Sequence, residues 1–192
     1  MGTPVTSDFP GYDMNVSDLT LLIALLVPLG LVFLIVLWGA MNGIGPSPTT
    51  AKQKRALFSA LPDQISGNIY ELGSGWGGLA IALARRYPNC SVIGVENSPI
   101  PFLYSLLHAR MIRLPNLSLH WKNIQEEALE NPSLIVCYLH TGAMRRLKSK
   151  LEQDLHGDTW IVSNTFSFHG WDAVRTVEIH DLYHSKIYVY RK

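Results

Sequence analysis

The chain is 192 residues long, room for one domain of about 150 residues and an appendage. Hydrophobic residues make up 47% and charged residues 16%, which excludes a disordered or polyelectrolyte protein. The formal net charge of +1 is unevenly placed: Asp8, Asp13 and Asp18 lie in the first fifty residues, all 16 Lys and Arg come later, and that mild basic excess gives no reason to expect a nucleic-acid partner.

The first element is apolar. No charged residue lies between Asp18 and Lys52, and fifteen of the twenty residues from Leu19 to Trp38 are Leu, Ile, Val or Phe. A helix of that length spans about 30 Å, the thickness of a bilayer's hydrocarbon core, and its insertion is favourable by several kcal/mol. Pro28 is expected to kink the helix, and Trp38 suits the interface. A cleaved signal peptide wants a basic start, a mitochondrial presequence wants Arg, and a buried core helix seldom runs twenty residues without a polar face. The expected organisation is a short extracytoplasmic N-terminus (1–18), a transmembrane helix (19–41), a Pro/Gly linker (42–50) and a soluble domain (51–192). Lys52, Lys54 and Arg55 follow the span and no basic residue precedes it. The positive-inside rule then places the domain in the cytoplasm or in an organelle matrix.

Pro46 and Pro48 forbid a continuous helix through the linker. Ala51–Leu61 is predicted as a short amphipathic helix stopped by Pro62. Strands are predicted at Asn68–Leu72, Ser91–Glu96, Leu117–His120, Leu134–Leu139 and Thr159–Ser163. Helices are predicted between them at Gly77–Tyr87, Ile100–Arg113 and Met144–Leu155. Val174–Ile179 and Lys186–Arg191 form a closing antiparallel pair around a turn at Asp181–His184. Strands alternating with helices imply an α/β domain, a parallel sheet with helices on both faces and antiparallel strands at one edge. Cys90 and Cys137 are too few for a disulfide framework, which favours a reducing compartment.

The sharpest motif follows the first strand: Glu71-Leu72-Gly73-Ser74-Gly75-Trp76-Gly77-Gly78. Glycines there let the backbone turn tightly and approach a ligand that a Cβ would block. Gly73, Gly75 and Gly78 match the dinucleotide pattern G-x-G-x-x-G, which is weak alone. Gly73, Gly75 and Gly77 with Glu71 match D/E-x-G-x-G-x-G. A carboxylate at Glu71 opposes a pyrophosphate but suits an ammonium, which favours S-adenosylmethionine over NAD. Glu96, ending the second strand, is placed to accept the hydroxyls of an adenosine ribose.

These residues resemble the class I, seven-β-strand S-adenosylmethionine-dependent methyltransferases over roughly Ala51 to Lys192. The layout further resembles the membrane-anchored protein-lysine methyltransferases of mitochondria and their single-pass bacterial relatives. The shared features are the anchor, the segment Pro46-Ser47-Pro48-Thr49, the loop from Tyr70 to Gly77 and the late aromatic run from Val162 to Trp171. The resemblance implies a Rossmann-like seven-stranded methyltransferase sheet behind one transmembrane helix. It implies that Glu71, Gly73 and Gly75 hold the amino-acid end of the cofactor, that Glu96 binds its ribose, and that Asn123 meets the adenine amino group where the family usually has Asp. Trp76 replaces an acidic residue common in the loop, and Ser133 stands where an acid often begins the fourth strand.

The cofactor carries the reactive group, so the protein has chiefly to orient a neutral nucleophile and exclude water. The Asn-Pro-Pro-Tyr type signature of adenine or glutamine methylation is absent; the chain has Val136-Cys137-Tyr138-Leu139-His140 there. Tyr138 is the candidate for contacting the reacting amine, and His140 is the second. Phe166, Phe168 and Trp171 are candidates for an aromatic wall that receives an alkylammonium, or alternatively for core packing. His180 and His184 lack the acidic or cysteine partners of a metal site. Arg145, Arg146, Lys148 and Lys150 form a solvated helix face or a contact with anionic lipid. The expected function is protein-lysine methylation at a membrane. A lipid or small-molecule methyltransferase and a non-catalytic nucleotide-binding membrane protein are the alternatives.

Overall fold

In the computed structural model, which describes residues 15–42, 49–181 and 184–192, α1 spans Val16–Asn42 with Pro28 inside it. The helix starts a turn before the expected Leu19 because Asn15 caps it. Its side-chain oxygen accepts the Asp18 N–H at 2.9 Å, and the Asp18 carboxylate accepts the Asn15 N–H at 3.4 Å. Val16–Ala40 is long and apolar enough to cross a membrane, and none of its most apolar stretch is buried. The N-terminal residues 1–14, the linker prolines Pro46 and Pro48, and the hairpin tip at 182–183 lie outside the described residues.

The domain begins at α2 (Ala51–Ala60), held by a capping box in which Thr50 and Gln53 each accept the other's backbone N–H. Then come β1 (Asn68–Leu72), α3 (Gly78–Arg86), β2 (Ser91–Glu96), α4 (Pro99–Ile112), β3 (Leu117–Trp121), a 3-10 turn at Ile124–Glu126 and β4 (Pro132–Cys137). The chain closes with α5 (Thr141–Asp154), β5 (Trp160–Asn164), β6 (Arg175–Glu178) and β7 (Lys186–Arg191). β4 ends two residues before the expected Leu139, so Tyr138 and Leu139 belong to the loop that follows. α5 starts earlier than Met144 because His140 caps it, its Nδ1 accepting the Gly142 N–H at 3.2 Å.

All seven strands form one sheet in the order β3-β2-β1-β4-β5-β7-β6. The first five run parallel, and β7 pairs antiparallel with both β5 and β6. Side chains along the strands alternate between two cores, as the period of two requires. Ile69, Leu134, Val136, Val162 and Ile187 pack with Leu57 of α2 and Leu79 and Leu83 of α3. Tyr70, Leu72, Ile135, Cys137 and Ile161 pack with Met144, Leu147 and Leu151 of α5. Helices therefore cover both faces. From β1 the chain winds outward through β2 to β3, then returns to place β4 on β1's other side. In such sheets the crevice beyond the carboxyl ends of the strands, at that switch point, is where ligands bind.

Candidate functional site

The crevice at the switch point is a cleft of about 230 Å³. Its floor is the glycine loop between β1 and α3. Gly73, Gly75 and Gly77 all have left-handed φ, at +83°, +52° and +75°, which glycine alone adopts without a Cβ penalty. Gly73 and Ser74 both donate their N–H to the Val95 carbonyl at 2.9 Å, tying the loop to β2. A Cβ on Gly77 would meet the Ser105 Cβ at 2.7 Å, and one on Gly73 the Leu139 Cδ2 at 2.7 Å. Gly73 and Gly75 line the cleft, while Gly77 sits behind them as the N-cap of α3.

Two buried carboxylates flank the loop. Glu71, near the end of β1, is held beside the N-terminus of α3, where the Ala80 N–H bonds its carboxylate. Burial pushes its carboxyl well above the ordinary carboxylate range. The Ala80 bond and the nearby Lys54 charge oppose that rise, and Glu96 adds to it. The second oxygen, Oε2, is buried and has no hydrogen-bond partner. Glu96, at the end of β2, accepts the Gly75 N–H on Oε2 at 2.7 Å, and the Asn97 and Ser98 N–H groups on Oε1 at 3.0 and 2.7 Å.

Asn123 and Tyr138 line the opposite side, just past β3 and β4. The Asn123 side-chain oxygen caps the 3-10 turn by accepting the Gln125 N–H at 3.1 Å, and its amide nitrogen carries no bond in that cap. His140 lines the same wall, and its buried Nε2 has no partner.

Lys54 completes the ring and was not anticipated from the motifs. It reaches over from α2 to donate to the Gly78 carbonyl at 2.9 Å and lines the cleft with Thr49. Nothing in its local sequence marks it. A lysine in a short amphipathic helix has the look of a solvated face until the sheet brings that helix against the loop.

The late aromatic run stands elsewhere. Trp171 does not line the cleft. It packs on Phe168 with ring centroids 4.7 Å apart and on Tyr190 at 5.8 Å, and its indole N–H donates to Glu152 at 3.0 Å. Phe168 is buried, and its N–H is satisfied by the Tyr190 hydroxyl at 3.0 Å. Phe166 packs against the same core. The run is a structural plug between α5 and β7, the packing alternative for these aromatics.

The site now stands on four strand ends, a glycine loop and α2. Comparison with known proteins identifies the family. The family described as ANTKMT methyltransferase domain matches residues 71–175, more than half of the chain. A protein-lysine N-methyltransferase of Saccharolobus islandicus (strain REY15A) is 25% identical over 135 residues, covering 70% of this chain and 84% of that one. Among solved structures, the RNA methyltransferase from Salinibacter ruber, in complex with S-adenosyl-L-homocysteine, superposes with a TM-score of 0.68 at 22% identity, covering 76% of this chain and 93% of that one. Precorrin-6y C5,15-methyltransferase from Geobacter metallireducens GS-15 gives 0.58 at 14% identity, covering 74% and 86%. Both of those structures share the fold described above.

Proposed function

The chain belongs to the ANTKMT methyltransferase family, and on that premise we propose that it is a membrane-anchored enzyme moving a methyl group from S-adenosylmethionine to a lysine amine of a protein. The observation that carries the cofactor assignment is Glu71: a buried carboxylate oxygen without a partner, at the lip of a glycine loop. Burying an acceptor without a bond is costly, and a ligand's ammonium removes that cost. A phosphate there would instead meet a carboxylate, which disfavours the dinucleotide reading. Lys54, on the other side of the loop, supplies the cation that a ligand carboxylate needs. Gly73 and Gly75 leave room for close approach, Glu96 meets the ribose hydroxyls, and Asn123 meets the adenine edge.

When bound, the cofactor supplies a methyl group on a sulfonium, already activated for in-line displacement. What remains for the chain is orientation and dryness. Tyr138, just past β4 in the cleft wall, holds the acceptor amine through its hydroxyl. His140 is a poorer proton acceptor. Its Nδ1 is occupied by the Gly142 N–H, so the neutral ring carries its proton on Nε2 and acts as a donor. The incoming lysine must arrive or become neutral, and a cleft shielded from water favours the uncharged amine.

The lysine acceptor is supported by the Saccharolobus islandicus relative, and the membrane by the length of α1 and the exposure of its most apolar stretch. Incubation of the full chain with radiolabelled methyl donor and membranes, followed by mass spectrometry, tests both. Label on protein lysines, lost when the enzyme is omitted, is the expected result. Label only in lipid or in a small metabolite overturns the protein-lysine assignment and leaves the methyltransferase chemistry intact.

A further inference from the structure

α4 has two apolar faces where an ordinary surface helix has one. Its inner face packs on β2 and β3, burying Pro101 and Ser105. Leu103, Tyr104, Leu107 and Met111 lie on the other side, within about 100° of one another around the axis by the 3.6-residue period. They are 56%, 51%, 52% and 81% exposed. Trp121 at the end of β3 is 62% exposed on the flank of α4, its ring stacked at 6.1 Å on Phe102. A contiguous apolar surface of this kind marks a contact that the described chain does not itself supply.

We propose that this face rests on the lipid bilayer, with its apolar side chains at the acyl boundary and its cations among anionic headgroups. The proposal builds on the reading of α1 as a membrane anchor. Three observations select lipid as the occupant. The charge leans one way: from Pro99 to Asn123 there is no Asp or Glu, and Arg110 and Arg113 are present, while Lys122 is paired with Glu127 at 3.6 Å. The composition is interfacial, with Leu and Met beside Tyr and Trp, rings that favour the headgroup level. The tether is short and enters on the same side. Only residues 43–50 separate α1 from α2, at most about 30 Å of extended chain. They enter the domain at Thr49, which lines the same cleft as Trp76, and Trp76 packs edge-on against Tyr104 of the exposed stripe at 5.4 Å. The point where the anchor joins and the apolar stripe therefore flank one cleft mouth, and both can meet one bilayer plane. Docked this way, the cleft opens beside the membrane surface, which limits acceptors to groups close to it.

The test uses the full chain in vesicles. Burial pushes the Cys137 thiol up to about 12 and raises that of Cys90, so both native cysteines stay unlabelled. An environment-sensitive fluorophore goes on Met111→Cys, and on Asp63→Cys as a control at the opposite, N-terminal end of β1. Vesicles are phosphatidylcholine alone, or phosphatidylcholine with phosphatidylglycerol, each with or without nitroxide-labelled lipid. The expected result is a blue-shifted, lipid-quenched signal at 111 and a water-like signal at 63. Quenching should be stronger on the anionic vesicles, since Arg110 and Arg113 near such a surface favour the docked state about thirtyfold. It should fall with salt and disappear in Leu103→Glu/Leu107→Glu. Water-like signals at both positions, in protein that stays with the vesicles through an alkaline wash, overturn docking and leave the anchor standing. Release by the wash overturns the anchor, and the docking with it. A blue shift at 111 without lipid quenching that grows with protein density assigns the face to a second copy and also overturns the proposal.

Discussion

The Gly75 N–H donates to the Glu96 carboxylate at 2.7 Å, so the tip of the glycine loop rests on the acid that ends the neighbouring strand. With the Asn97 and Ser98 N–H groups on its other oxygen, three of roughly four lone-pair sites on that carboxylate are taken. Glu96 both holds the loop and faces the cleft. One site on Oε2 remains for a ligand donor, and a second bond there requires Gly75 to yield.

This double role sets the first prediction. Glu96→Ala should weaken S-adenosylhomocysteine binding by about 3 kcal/mol, roughly a hundredfold, because a charge-assisted acceptor and the loop's support are lost together. It should also lower the melting temperature of the ligand-free protein. Calorimetry and thermal denaturation on the same samples check it. Weaker binding at unchanged melting temperature would mean the loop does not depend on Glu96.

Glu71 gives a pH prediction. Its carboxyl is held well above the usual carboxylate range in the folded protein, chiefly by burial. The unfolded chain ionises at the ordinary value, so ligand-free stability is fullest below that value and declines as pH rises toward Glu71's own folded value. Glu71→Gln should flatten the decline. A bound ammonium favours the ionised carboxylate, so cofactor binding should release a proton and tighten with rising pH over the same interval. Calorimetry in two buffers of different ionisation enthalpy counts that proton. Lys54→Gln removes a cation that opposes the rise, and should weaken binding about tenfold while shifting the pH dependence upward.

Much of this was legible in the sequence because the signals were local. Alternation of β-branched runs with helical periodicity located every strand of the sheet, and Glu71 to Gly78 located the turn at its centre. The misplaced boundaries have local causes too. The apolar run in Val136-Cys137-Tyr138-Leu139 continues past the last ladder bond, so hydrophobicity alone could not end β4 at Cys137. The start of α1 was set by the charge gap, whereas the Asn15 cap decides it. Lys54 and Trp171 depended on contacts between distant segments. Lys54 joins the site only because α2 folds onto the glycine loop, and Trp171 packs on Tyr190, nineteen residues on, outside the cleft lining.

The three glycines of the loop should rank by what surrounds them. A Cβ at Gly75 has nothing within 4 Å, so Gly75→Ala bears only the backbone strain, about 1 kcal/mol. At Gly73 it meets the mobile end of Leu139, and at Gly77 the Cβ of Ser105, which cannot move without shifting α4. Gly77→Ala should therefore cost the most, about 2–4 kcal/mol, with Gly73→Ala between. Thermal denaturation of the full chain in detergent gives the order, and a Gly75→Ala loss as large as that of Gly77→Ala would contradict it.

Tyr138 and Trp171, both expected at the reacting group, should separate cleanly. Trp171 contacts Phe168 and Tyr190 and gives its indole N–H to Glu152. Trp171→Ala leaves a void in that packing and should cost about 3 kcal/mol of stability. Its cofactor affinity, measured below the lowered melting temperature, should match the parent. Tyr138→Phe removes only a hydroxyl from a half-buried ring lining the cleft. The fold should be untouched, with melting temperature within about a degree, since a part-exposed hydroxyl contributes little. If that hydroxyl holds the acceptor amine in line with the methyl group, kcat should fall about tenfold to a hundredfold while cofactor affinity holds. The informative quantity is the split between turnover and binding. A Tyr138→Phe enzyme with full turnover would move the amine-holding role away from the end of β4, and His140, whose Nε2 has no partner, would be the next residue to replace.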